Sequence, residues 1–194
     1  MNNKTLDFYA ENAVKYVSHG TVNPRLDSFL QHLPAGGTIL ELGTGSGVDA
    51  KAMLEAGFCV DATDGSRELA DEAEKWIGQP VRQMLFTELD ADQAYDGIYA
   101  SASLLHASRV DLPDIISRIH RALKIGGCVW ASFKGGQREG LDGLGRYYNY
   151  LSESELKQLW SSSGQWASLT HETWLGSGYD QLPTEWHAIM ATRQ

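Results

Sequence analysis

Residues 38–47 read Thr-Ile-Leu-Glu-Leu-Gly-Thr-Gly-Ser-Gly, an apolar run that meets three glycines at alternate positions, with a helix-forming segment behind them. Few folds accommodate such a stretch. A short apolar run bounded by glycines forms a buried strand. Glycine lets the backbone turn sharply and lets a ligand approach the main chain, because no Cβ stands in the way. The helix that follows opens with unpaired N–H groups and a partial positive charge. The pattern is a strand–turn–helix unit, serving either as a tight connection alone or as a ligand cradle. Spacing and charge point away from one kind of ligand. Dinucleotide-binding turns use G-x-G-x-x-G, whereas the spacing here is G-x-G-x-G, with Glu41 just ahead of it. A carboxylate at that point repels a pyrophosphate and suits a ligand that carries positive charge.

The rest of the chain alternates strand and helix patterns. Strands are expected at 38–42, 58–63, 81–85, 95–101 and 128–133. Helices are expected at 7–18, 23–33, 47–56, 66–77 and 112–123. Ser66 is a suitable N-cap with acidic residues in the turns after it. Such alternation gives parallel βαβ units with helices on both faces of a sheet. After residue 133 the pattern changes. A glycine-rich loop, 134–145, leads to Tyr147-Tyr148-Asn149-Tyr150 and then to a helix at 152–163, where Ser152 and Glu155 form a capping box. Two strand-like segments, 166–173 and 186–192, have no long helix between them, so they pair as an antiparallel hairpin. The expected fold class is α/β: a Rossmann-like doubly wound sheet of about seven strands, mostly parallel, with the hairpin at its C-terminal edge. The 194 residues suit one domain, 1–194.

The segment Glu41-Leu-Gly-Thr-Gly-Ser-Gly47 resembles motif I of the class I S-adenosylmethionine-dependent methyltransferases, in general layout those of the ubiquinone-biosynthesis and tellurite-resistance types (methyltransferase types 11 and 12). The resemblance covers roughly 36–134 and implies S-adenosyl-L-methionine as cofactor. It places Glu41, Gly43, Thr44, Gly45, Ser46 and Gly47 against the methionine part. It assigns the ribose hydroxyls to Asp64, with Gly65 and Ser66 beside it, although an Asp-Gly-Ser sequence also serves simply as a turn and helix cap. The family often has an acid at the end of its third strand, near the adenine. Leu85 and Phe86 stand there instead, so adenine recognition falls to backbone groups and packing on Phe86, or Phe86 is core. Asp96 opens the fourth strand in a structural role. Ser101 lies beneath the methyl group, where small residues leave room for an acceptor. His106 matches a histidine common in the family, either as a general base, its ordinary pKa being near 6.5, or as part of the cofactor wall. Arg121-Ala-Leu-Lys-Ile-Gly-Gly127 is similar to the family's L-K-P-G-G turn, with Ile125 in place of Pro. The resemblance divides the chain into an N-terminal helical lid (1–35), a cofactor-binding core (36–134) and a substrate-side loop, helix and hairpin (135–194).

The methyl acceptor is read as a small molecule. Its pocket is expected from Tyr9, Tyr16, Arg109, Arg146, Tyr147 and Tyr148, with the loop after residue 134 closing over it. A net charge of −9 argues against a nucleic-acid partner, since phosphate neutralisation needs a basic face. Lys134, Arg138 and Arg146 are only weak candidates for one. No metal set is expected, and no membrane span, because no apolar run approaches the ~20 residues required. The first residues have no apolar signal core, so the expected location is the cytoplasm. Cys59 and Cys128 are read as two free, buried thiols, and Trp160, Trp166, Trp174 and Trp186 as packing residues. Alternatives in other classes are a non-catalytic S-adenosylmethionine-binding protein and a tRNA or protein methyltransferase. Oligomeric state is not read from the sequence.

Overall fold

The computed structural model describes residues 3–18, 20–179 and 181–194. Strand β1 (Thr38–Leu42) lies inside a seven-stranded sheet with β2 (Cys59–Asp64) on one side and β4 (Tyr95–Ala100) on the other. The sheet order is β3-β2-β1-β4-β5-β9-β8, where β3 is Arg82–Gln83, β5 Leu123–Lys134, β8 Trp166–Ser177 and β9 Pro183–Arg193. Strands β1 to β5 are parallel; β9 runs antiparallel to β5, and β8 antiparallel to β9. The expected mixed sheet with its antiparallel edge hairpin is thus present. The chain leaves β1 toward β2 and later returns to β4 on the opposite side. The strand order therefore reverses at β1, which opens a crevice at the carboxyl ends of β1 and β4.

Side-chain alternation buries apolar residues on both faces of the sheet. Leu40 and Leu42 of β1, with Val129, Ala131 and Phe133 of β5, face helices α5 (Leu112–Ala122) and α6 (Glu153–Ser162). Ile39, Tyr99, Cys128 and Trp130 face the other way, onto Phe29 of α2 (Leu26–Leu30) and Met53 of α3 (Val48–Glu55). This is the two-residue period of a strand buried on both faces. Helix α4 (Arg67–Ile77) covers the β2 end of the sheet, with Ser66 capping Leu69 N–H. Helix α1 (Asn3–Val17) packs against α4.

Several sequence expectations change. The helix expected at 23–33 is only Leu26–Leu30, since the chain tightens into i→i+3 bonds, His32 to Phe29 and Leu33 to Leu30, before Pro34. The strand expected at 81–85 pairs with β2 only through Arg82 and Gln83. It lies at the sheet edge, and the Glu88 carboxylate draws Leu85 N–H into a 3₁₀ turn at Phe86–Glu88. The hairpin strands are longer than expected. The loop after residue 134 carries a small antiparallel pair, β6 (Gly140–Leu141) with β7 (Tyr147–Tyr148). Only one of the two thiols is buried: Cys59, at the start of β2, is exposed, while burial pushes the Cys128 thiol up to about 11. Trp160 is fully buried, and Trp166 packs against the same core. Among the described residues, no helix is long and apolar enough to cross a membrane.

Asp96 has the structural role expected of it. Its carboxylate accepts Thr38 N–H at 2.8 Å and the Lys124 ammonium at 2.8 Å, tying β1, β4 and β5 together at their amino ends. Burial works against its ionisation, but these donors outweigh it and hold the pKa below the usual carboxylate value. Asp96→Ala should cost about 1–2 kcal/mol, lowering Tm by roughly 2–8 °C. The stabilisation should be present above the ordinary carboxylate range and fade as pH falls through the depressed pKa. Thermal melts of both proteins at pH 7 and pH 3 measure this difference.

Candidate functional site

The glycine turn sits at the crevice. Gly43 N–H and Thr44 N–H both donate to Thr63 O, at 2.9 and 2.8 Å, which folds the end of β1 back over β2. Gly43 has φ +80°, and a Cβ there would stand 2.5 Å from that of Ser103. Gly45 has φ +56° and lies under the Tyr16 ring, 3.2 Å from where a Cβ would be. No L side chain fits either place without strain. Gly47, also left-handed, is the N-cap of α3. At Gly43 and Gly45 the turn brings main chain to the cavity wall, with Thr44 and Ser46 beside it.

Carboxylates gather around it. Glu41 is buried beneath the turn, accepts the Thr44 hydroxyl and lines the cavity. Burial first, and then the charges of Asp49 and Asp64, push its pKa up to about 8. Asp49, in the first turn of α3, accepts Asn23 N–H at 2.8 Å; Asn23 in turn donates to Ser101 Oγ at 2.9 Å. Burial also raises Asp49. Asp64 accepts Gly45 N–H at 3.0 Å and Ser66 N–H at 2.9 Å, and burial pushes it up to about 6. It therefore joins the glycine turn to the start of α4, so the turn-and-cap role of Asp64-Gly65-Ser66 is realised. A buried set of this kind, next to exposed backbone, fits a cationic group such as a sulfonium or an ammonium better than an anion.

A cavity of about 440 Å³ opens from this turn. Glu41, Gly43, Thr44, Gly45, Ser46, Ser101 and His106 line it, as do Tyr9, Tyr16, Arg146 and Tyr148. Asp64 is not on its wall: it lies next to Gly45, which the Tyr16 ring covers, and its charge helps to raise Tyr16. Phe86 belongs to the core beneath β4, and Leu85 is half-buried in extended backbone, so neither lines the cavity.

His106 sits in the 3₁₀ turn Leu104–His106. Its Nδ1 is 2.6 Å from Tyr147 O, and a carbonyl only accepts, so Nδ1 carries the proton. Nε2 then accepts the Tyr9 hydroxyl at 2.9 Å. Burial, with Arg146 and Lys134 adding to it, pulls the imidazole down to about 3 against the pull of the Tyr147 carbonyl. His106 is therefore a neutral ring whose free lone pair is already engaged.

Two residues expected in the acceptor pocket lie elsewhere. The Arg109 guanidinium binds Asn149 O, Tyr150 O and Glu155, at 2.8, 2.8 and 2.7 Å, and so pins the chain entering α6. The Tyr147 hydroxyl bonds Glu139; only the backbone carbonyl of Tyr147 reaches the site. Arg146 does reach it. Its guanidinium bonds Asp142 at 3.0 and 2.7 Å and lies 5.1 to 5.3 Å from the ring centroids of Phe8, Tyr148 and Tyr179. Lys134, Asn23, Asp49, Trp174, Tyr179 and Trp186 also line the cavity. Asp49 stands two residues past the last glycine, a local signal that motif spacing carries. The others arrive by long-range packing.

Among the described residues, no cluster of three or more His, Cys, Asp or Glu could hold a metal ion. The family model described as a methyltransferase domain matches residues 39–127. No curated protein sequence matches the chain. The fold is shared with 1,6-didemethyltoxoflavin-N1-methyltransferase of Burkholderia thailandensis, solved with 1,6-didemethyltoxoflavin and S-adenosylhomocysteine (TM-score 0.78, 21% identity, 99% of this chain and 88% of that one). It is also shared with a SAM-dependent methyltransferase of Methanosarcina mazei (TM-score 0.77, 16% identity, 90% and 99%). A third similar structure is the [4+2]-cyclase SpnF (TM-score 0.73, 14% identity, 96% and 94%), so the fold alone does not fix the reaction. Residues 39–127 thus match a methyltransferase domain, and the chain as a whole shares the fold of these methyltransferase structures.

Proposed function

We propose that this protein transfers a methyl group from S-adenosylmethionine to a small-molecule acceptor. The observation that carries the reading is the pair of buried acids, Glu41 and Asp49, on the cavity wall beside the glycine-rich Gly43–Gly47 turn. When bound, the cofactor offers a sulfonium methyl; the acceptor's lone pair bonds to that carbon as the carbon–sulfur bond breaks, leaving a neutral thioether. The protein's part is alignment and exclusion of water, worth ~7–11 kcal/mol of barrier. Glu41 and Asp49 hold the cationic end, and Asp64 takes the ribose hydroxyls. Helix α1 serves as a lid. Tyr16 covers Gly45 beside Asp64, so α1 shifts as a nucleoside enters and closes again through Tyr9 and His106. His106 is a wall and latch residue, since its free nitrogen is engaged and its basicity is low. A site without a free base requires an acceptor that arrives with its lone pair available.

Calorimetric titration tests the reading. S-Adenosylhomocysteine should bind one to one and NAD should not bind. Asp64→Ala removes hydrogen bonds to a charged group worth about 1.5–3 kcal/mol, so it should weaken binding roughly 10- to 150-fold. Unchanged affinity would remove the ribose assignment. Binding without transfer of labelled methyl to any metabolite pool would leave a non-catalytic binding protein.

The raised pKa of Glu41 gives a second test. In the free protein near pH 7 this carboxyl holds its proton, and pairing with an ammonium favours the ionised form. Binding should therefore release up to one proton, and affinity should rise as pH climbs from about 6 and level off above about 8. Titrations in buffers of different ionisation enthalpy read the released proton directly, and Glu41→Gln should abolish it. The free protein carries the opposite sign: the Glu41 contribution to stability is fully present below the ordinary carboxylate pKa and is lost as pH rises through about 8.

A further inference from the structure

Several polar groups on the cavity wall are already spent on the protein itself. Arg146 is paired with Asp142 and Arg25 with Glu172. His106 has both nitrogens engaged, one of them by the Tyr9 hydroxyl. Two indole N–H groups on the same wall are not. Trp174 and Trp186 are half-buried and line the cavity, and among the described residues neither Nε1 has a hydrogen-bond partner. Neither nitrogen is sealed away from the space beside it.

The hairpin holds these two donors in place. Trp174 stands directly opposite Trp186 across β8 and β9, and Trp186 stands opposite Lys134 of β5. The two rings are parallel to within 8°, with centroids 6.1 Å apart. The Arg25 guanidinium lies 3.6 Å over the Trp174 ring, and the Lys134 ammonium 5.9 Å over that of Trp186. With neighbours on the ring faces, the indoles offer their edges, and each edge carries an N–H donor. Gly176 shares a face of β8 with Trp174, two residues along the strand. A Cβ there would stand 3.4 Å from Nε1 of both indoles and 3.2 Å from Cδ1 of Trp186. Glycine thus keeps open a place that both nitrogens border. The sheet order sets β9 three strands from β1, roughly 14 Å at the usual strand spacing. The donors therefore lie well away from the glycine turn, where the cofactor is assigned.

Resting on the methyltransferase reading above, we propose that the methyl acceptor carries a carbonyl oxygen, which accepts from the indole N–H groups of Trp174 and Trp186 in the opening at Gly176. A carbonyl oxygen has two lone pairs near one plane, so a single atom can take both donors. The donors are neutral, so binding strips no charge of its water. An acceptor without such an oxygen displaces water from both N–H groups and replaces neither bond, and that loss is what discriminates against it. Trp174 and Trp186 are then specificity-determining residues, distinct from the acids that hold the cofactor.

The test is a nuclear magnetic resonance titration of nitrogen-15-labelled protein saturated with S-adenosylhomocysteine. Benzamide and its carbonyl-free relative toluene are the probes, and Trp174→Phe and Trp186→Phe identify the two indole N–H signals. Benzamide should move both signals downfield in a saturable way and bind five-fold or more tighter than toluene. Each Trp→Phe change keeps a ring and removes one donor, so each should weaken benzamide roughly 2- to 12-fold. With both changes, benzamide should bind no better than toluene. Gly176→Val fills the opening and should also lose benzamide, with both indoles still present. Affinity for S-adenosylhomocysteine should stay within two-fold in every variant. Three results would each overturn the proposal: indole signals that benzamide leaves in place, toluene binding as tightly as benzamide, or the doubly altered protein binding benzamide like the unaltered one. Failure of the unaltered protein to bind S-adenosylhomocysteine is read first, before any probe is added. It would strike down the methyltransferase reading and this proposal with it.

Discussion

Three hydrogen bonds shape everything else in this molecule. Gly43 and Thr44 give their N–H groups to Thr63 O, and Gly45 gives its own to the Asp64 carboxylate. Together they hold a left-handed turn between the ends of two parallel strands. Only glycine tolerates that path at the points of closest approach. The turn sets the direction in which α3 leaves, places Glu41 beneath it and Asp49 beside it, and brings main chain to the cavity wall. The sheet's reversal of order at β1 puts this turn at the one place where the flanking helices part.

The second organising feature is the set of buried charges around a single space. Carboxylates whose pKa burial raises stand near the turn, and two buried cations stand near Tyr148. Glu41 ionises when a cationic group arrives beside it, which makes ligand binding and protonation one linked event. His106 lies beside Tyr148. Its proton is fixed on Nδ1 by the Tyr147 carbonyl and its other nitrogen is fixed by Tyr9. The ring thus joins three elements, α1, the turn after β4 and β7, that lie far apart in the chain. That position suits a latch better than a proton carrier.

Much of the fold was legible because its signals are local. The alternation of strand and helix patterns, the Ser66 and Ser152 caps and the glycine turn each depend on residues within a few positions of one another. Glu41 was legible for the same reason. The shortened α2 and β3 were not, since Pro34, the sheet edge and the Glu88 carboxylate decide them through particular bonds rather than through periodicity. On the acceptor side the sequence names the right kinds of residue and misplaces some of them. Arg109 and Arg146 look alike as isolated arginines near tyrosines. One meets two carbonyls and Glu155, and the other meets Asp142 and three rings. Lys134 and Trp186 reach the cavity because β9 pairs with β5 in one register, which brings the two residues side by side.

The most direct measurement of the central claim is a crystal structure grown with S-adenosylhomocysteine. The account predicts the amino group within hydrogen-bond distance of Glu41 or Asp49, the thioether chain along Gly43–Gly47 and the ribose hydroxyls on Asp64, with Tyr16 displaced from Gly45. A ligand bound elsewhere, or seated at the turn with no contact to any of the three carboxylates, would contradict it.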